Sequence, residues 1–210
     1  EDVEIFIQTV KTIAPTFGGI NLEDIKAPEC FEIERRLKQE LDIPVMHDDQ
    51  HGTAIVSAAA LLNACEIAGK QISEVTVVIN GAGAAAISCA LLYISVGVRK
   101  ENIIMLDSKG VIHTNRKDLD ISKQQFAQNV PFTSLEEAMK GSDVFIGLSK
   151  GDIVTEQMVQ SMASNPIVFA LANPNPEISF DKAMASRNDI IFATGRSDIP
   201  NQVNNVLGFP

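Results

Sequence analysis

The chain has 210 residues, 45% of them apolar and 21% charged, the balance of an ordinary globular protein long enough to bury a proper core. A formal charge of −10 with no basic stripe argues against nucleic acid, and no uninterrupted apolar run approaches the ~18 residues of a membrane span. The opening EDVEIF has no basic n-region, so no secretory signal is expected, and Cys30, Cys65 and Cys89 in apolar surroundings read as reduced thiols of a cytoplasmic protein.

Val3, Ile5, Phe6, Val10 and Ile13 recur at helical spacing until Pro15 breaks the pattern. FGGINLE then predicts a short strand, and APECFEIERRLKQEL a helix with Pro28 near its first turn, acids early and bases late. IPVM predicts another short strand, and Gly52-Thr53 the opening of an alanine-rich helix to Ala68, closed by Gly69. From residue 75 the rhythm changes. VTVVIN, NIIMLD, DVFIGLS, IVFALA and IIFATG are apolar runs separated by helical or polar segments, which predicts a mainly parallel sheet covered on both faces. The expected organisation is a small α/β segment over 1–70 followed by a larger α/β unit over 71–210.

In VTVVINGAGAAAISCALLYISVG, Gly81, Gly83 and Ala86 form a G-x-G-x-x-A turn between a strand and a helix. The first small residue permits the tight turn, the second lets the backbone approach a pyrophosphate, and the third lets helix and strand pack closely. Amides at the helix start then favour phosphate. The next strand ends in Asp107, where an acid can hold ribose hydroxyls. This predicts a Rossmann-like, doubly wound dinucleotide site, against the plainer alternative of a glycine-rich turn in some other αβ unit.

Two acid pairs follow short apolar strands: Glu23-Asp24 and Asp48-Asp49. They read either as surface acids at loop starts or as oxygen ligands for a hard octahedral cation, Mg²⁺ or Mn²⁺. Such a cation beside a dinucleotide can chelate a 2-hydroxy acid and polarise its carbonyl. His47 and His51 flank the second pair and are expected to be structural or hydrogen-bonding. Asn173 and Asn205 fall after late strands, where open αβ sheets bind ligands, whereas Asn165 and Asn175 read as turn residues.

FGGINLEDI, HDDQHGTA, NGAGAAA, ALANPNPE and GRSDIPNQVNN, in this order over nearly the whole chain, resemble a malic enzyme of the bacterial and archaeal type. The resemblance implies that Glu23, Asp24 and Asp49 are metal ligands. It implies a pyrophosphate loop at Ala82, Gly83, Ala84 and Ala85, and cofactor and substrate roles for Asn173 and Asn205. Asp48 would support a catalytic lysine. The implied reaction converts malate to pyruvate and CO₂ with NAD or NADP in a homodimer or higher homo-oligomer. The family's general-acid tyrosine and general-base lysine are expected in a segment before residue 1, and its usual helices after GFP, so this sequence reads as a fragment. Ile199 stands where many relatives carry an aromatic residue. Tyr93 reads as core. Two rival readings stay open: a catalytically silent dinucleotide-binding module serving regulation or assembly, and an αβ dehydrogenase of the amino-acid or methylene-folate kind, which does not need the three-carboxylate metal cage. Asp107 favours NAD by repelling a 2′-phosphate, while Lys109 and Arg116 work against it.

Overall fold

The computed structural model describes residues 2–208. The first element, α1 (Val3–Ile13), is capped by the Asp2 side chain, which accepts from the amides of Glu4 and Ile5. Its buried face differs from the predicted stripe. Val3, Phe6, Ile7 and Val10 pack inward, while Ile5 and Ile13 are exposed, because the i, i+3, i+4, i+7 set is centred on Ile7. Strand β1 (Ile20–Leu22), helix α2 (Glu29–Glu40) and strand β2 (Val45–His47) complete this part. β1 and β2 are parallel, with Leu22 opposite His47, so the residues that follow both strands emerge at one edge. Ile7, Leu22, Ile25, Cys30, Ile33, Leu37 and Val45 form its core.

Helix α3 (Asp48–Ala68) begins at Asp48 rather than at Gly52, so both acids of the second pair lie in its first turn. The positive end of the helix dipole favours them there, and that outweighs the break which Gly52 would suggest. Gly69, in the left-handed region at φ 66°, ends the helix. By length and composition α3 could cross a bilayer. Here it is a core helix: Ala54, Ala58, Leu61, Ala64 and Cys65 pack into the core of the larger sheet. The packing therefore does not divide at residue 70, since α3 lends its apolar side to the unit that follows.

That sheet is built from β3 (Val77–Asn80), β4 (Ile103–Asp107), β5 (Gly110–Val111), β6 (Val144–Gly147), β7 (Ile167–Ala170) and β8 (Ile191–Thr194). The spatial order is β5-β4-β3-β6-β7-β8, all parallel except the two-residue β5. Five strands match the predicted runs; β5 was too short to leave an apolar signature. One face is covered by α3 and α4 (Ala84–Ser95). After the short α5 (Ile121–Gln124), the other face is covered by α6 (Leu135–Met139), α7 (Glu156–Gln160) and α8 (Phe180–Ser186). The fold is α/β and Rossmann-like, as expected. After β3 the chain crosses to β4 on one side and later returns to β6 on the other, so a crevice opens at the carboxyl ends of β3 and β6. The three cysteines are free and buried, and Tyr93 is a fully buried core residue.

Candidate functional site

The glycine turn stands at that crevice. Gly81 has φ 132°, and a Cβ there would lie 2.5 Å from the Leu148 carbonyl oxygen, so both backbone and space require glycine. Gly83, the N-cap of α4, has ordinary extended dihedrals, and an added Cβ would meet nothing within 4 Å. The space over Gly83 is open to an approaching ligand. Ala86 is buried where α4 leans on the sheet.

Two clefts share this edge. One, of about 810 Å³, is lined by Asn80, Gly81, Ala82, Gly83, Asp107 and Lys123, among others. Asp107 ends β4 at this cleft, and both its oxygens accept from Arg116, each at 2.8 Å. Burial opposes its charge, but the Arg116 guanidinium and the Lys109 amide outweigh that and hold the carboxyl below its usual range. The second cleft, of about 560 Å³, is lined by Asp49, Thr53, Ala85, Asn173, Arg196 and Asn205, among others. Leu148 and Ser149 line both.

The acid pairs leave the β1–β2 edge side by side, and Asp49 alone of the four lines the second cleft. Asp24 takes φ 57°, a left-handed conformation that Asp tolerates better than most residues. Its backbone N–H donates to Asp49 Oδ2 at 2.9 Å. Asp48 is buried, and its Oδ2 accepts from Asn205 Nδ2. Gly52 makes this approach possible, because a Cβ there would overlap Asp48 and crowd Asn205. Among the described residues Asp48 Oδ1 has no partner. Burial pushes the Asp48 pKa up; the Asn205 hydrogen bond opposes the rise and neighbouring Asp49 reinforces it. His47 is fully buried, and its backbone amide donates to Glu34 Oε1 at 3.1 Å. His51 Nε2 lies 2.7 Å from the same oxygen.

Residues 50–210 match the family described as "Malic enzyme, NAD binding domain", and residues 1–38 match "Malic enzyme, N-terminal domain". The chain belongs to the malic enzyme family. An NADP-dependent malic enzyme of Halomonas elongata is 58% identical over all of this chain and 50% of its own length. An NAD-dependent malic enzyme of Rhizobium meliloti is 51% identical over 99% of this chain and 27% of its own length. Among solved structures, Entamoeba histolytica malic enzyme aligns with all of this chain and 45% of its own, with TM-score 0.94 and 43% identity. The Thermotoga maritima NAD-dependent malic enzyme covers 98% of this chain and 55% of its own, with TM-score 0.91 and 44% identity. The chain thus spans about half, or less, of the length of these relatives.

Within this malic enzyme chain, Asp49, Asn173 and Asn205 line one cleft, while Ala82, Gly83 and Asp107 line the other. Glu23 and Asp24 are exposed, only the Asp24 amide is seen to reach Asp49, and among the described residues no three acids, histidines or cysteines stand close enough to hold a metal ion. Their suitability lies in donor chemistry and in the tie between Asp24 and Asp49. It does not extend to a formed cage. Sequence reasoning passed over Ser149, at the junction of the clefts, and Arg196, which pairs with Asp198 through 2.8 and 2.6 Å contacts. Both follow strands of the parallel sheet, and that position was the available signal.

Proposed function

We propose that this chain provides the cofactor- and metal-binding half of an enzyme that oxidatively decarboxylates malate to pyruvate and CO₂. The reading takes residues 71–210 as the nucleotide-binding part and residues 1–70 as the metal-bearing part. Its strongest support is that Asp49, from the acidic edge, lines the same cleft as Asn173 and Asn205, next to the glycine turn. The open space over Gly83 suits a pyrophosphate, and the α4 amides that follow it are oriented for phosphate oxygens.

Glu23, Asp24 and Asp49 would hold Mg²⁺ or Mn²⁺, since hard carboxylate oxygens suit such cations and none of the three is in an ion pair among the described residues. A dinucleotide held over Gly81 to Gly83 would supply the hydride acceptor, and a cation held by the three carboxylates would supply Lewis acidity to a 2-hydroxy acid. Asn173 and Asn205 orient ligand through neutral amide groups, and Asn205 is itself steered by Asp48. Asp107, already neutralised by Arg116, is a weak barrier to a 2′-phosphate, so either dinucleotide is compatible with this end of the cleft.

Fluorescence titration with NADH and NADPH, with and without Mn²⁺ and malate, tests the reading. Saturable dinucleotide binding that malate tightens only with Mn²⁺ present is expected. Absence of binding by either dinucleotide would overturn it.

A further inference from the structure

Glu177 takes no part in the reading above, yet it is a fully buried carboxylate held behind Ser149 and Ala172, residues that line the clefts. It sits in the chain after β7, and its two oxygens reach different loops. Oε1 accepts from the Ser149 amide after β6 at 3.2 Å, and Oε2 accepts from the Ala172 amide after β7 at 3.1 Å. Its own carbonyl accepts from Ile153 and Val154 at 3.0 and 2.9 Å, so three stretches of backbone converge on one residue. Gly147, the last residue of β6, makes room for it: a Cβ there would overlap the carboxylate.

No Lys, Arg or His pairs with Glu177 among the described residues. Burial pushes its pKa up, and the amides of Ala172 and Ser149 work against that rise. A buried carboxylate without a cation is costly, and packing alone would be served better by an apolar side chain. The two amides it satisfies belong to the residues that border the bound cofactor in the proposed site: Ser149 lines both clefts, and Ala172 lines the second next to Asn173. Ser149 is also tied to the glycine turn, since Asn80 Nδ2 donates to its Oγ at 2.6 Å. A continuous brace therefore runs from Asn80 through Ser149 and Glu177 to Ala172.

We propose that Glu177 is a positioning residue that fixes the loops after β6 and β7 around the nicotinamide end of the cofactor. It acts through Ser149 and Ala172 rather than by touching the cofactor. The inference rests on the dinucleotide reading above. In that reading the adenosine and pyrophosphate portion would lie over Gly81 to Gly83 and Asp107, and the nicotinamide end would reach the cleft bounded by Ala172 and Asn173. Disturbing the brace should therefore weaken the two portions unequally.

Glu177→Gln makes the distinction. A Gln side chain offers one acceptor oxygen and turns an NH₂ toward the other backbone N–H, so one bond survives and one is replaced by two opposed donors. NADH and NADPH are titrated by fluorescence and ADP by calorimetry, on the intact wild-type and variant proteins. The expected result is a loss of about tenfold in reduced-dinucleotide affinity, about 1.4 kcal/mol, with ADP affinity held within about twofold. Equal losses for dinucleotide and ADP would mark Glu177 as a general structural residue, and no loss for either would mark the brace as idle; both overturn the proposal. Should Glu177→Gln fail to fold, Gly147→Ala displaces the carboxylate while keeping its charge, and the same unequal loss is expected. If the wild type binds ADP but neither NADH nor NADPH, the dinucleotide reading itself fails and takes this inference with it.

Discussion

The backbone amide of Asp24 donates to Asp49 Oδ2 at 2.9 Å, tying the turn after β1 to the first turn of α3. This bond brings the two acid pairs to one edge, and it separates the two jobs of Asp49. Asp49→Asn keeps an oxygen that can accept from Asp24 but loses the charge, whereas Asp49→Ala loses both. Both variants should bind Mn²⁺ more weakly by more than the roughly 10–100-fold typical of losing an outer-shell partner. ADP affinity should stay within about twofold, because Asp49 is absent from the cleft that holds the glycine turn. Titration calorimetry with Mn²⁺ and with ADP reads the two arms. Unchanged metal affinity in Asp49→Asn would remove Asp49 from the ligand set.

The two glycines of the turn should fail in opposite ways. Gly81→Ala imposes a side chain on φ 132° and on the Leu148 carbonyl, a conflict of backbone with backbone. Strain of about 1–3 kcal/mol is expected from the dihedral alone, seen as a melting temperature lower by several degrees. Gly83→Val meets no neighbour and no unusual φ, so the fold should hold. Its side chain would fill the space left for pyrophosphate, and NADH affinity should fall at least about tenfold. Thermal melts and NADH titrations on both variants check the crossing pattern.

Glu34 predicts a pH dependence. Burial opposes its charge, but His51 and then Lys38 outweigh burial and hold its pKa at about 2, below the usual 4.5. A folded value below the unfolded one means that the contribution is complete above about pH 4.5 and is lost as pH falls toward 2. Urea midpoints should therefore drop more steeply between about pH 5 and about pH 2.5 in the wild type than in Glu34→Gln. Other carboxylates titrate equally in both proteins, so the difference between slopes isolates Glu34. Parallel slopes would show that the buried contacts of Glu34 leave its acidity unchanged.

The glycine turn was legible because its determinants are local: a strand, two glycines and a small residue within a few positions. The parallel sheet was legible for the same reason, as each buried strand writes its own apolar run. The start of α3 was not. Gly52 looks like an opening residue, yet its real task is to let Asn205 approach Asp48, a contact between residues 157 positions apart. Local pattern carries no trace of such a partner. The stripe on α1 was misread at Ile5 and Ile13 because several apolar residues compete for one face, and only the packing partners decide which turn inward. Glu177 was quoted in a motif but given no role, since a buried carboxylate held only by amides looks the same in sequence as an exposed one.

The last prediction concerns turnover. Residues 1–210 by themselves should bind dinucleotide and convert malate at a negligible rate. The chemistry requires that the C2 hydroxyl lose a proton as hydride leaves and that C3 later gain one. Positioned acid–base groups typically contribute about 10²–10⁴-fold. Among the described residues no lysine and no tyrosine line the cleft that holds Asp49, Asn173 and Asn205. Tyr93 is sealed in the core, and Lys123 and Lys150 line the other cleft, with Lys123 beside Asp107 at the ribose end. Asp48 is near enough to matter, but one oxygen is taken by Asn205, and a cation bound alongside would keep the carboxylate ionised and weakly basic. The absorbance of the reduced cofactor is followed with malate, Mn²⁺ and NAD or NADP, first with this chain and then with the remainder of the Halomonas elongata relative joined to it. Rates should rise by at least about a thousandfold in the longer protein. Comparable rates in both would place a working base within these residues, with His47 and His51 the first to be replaced by Gln.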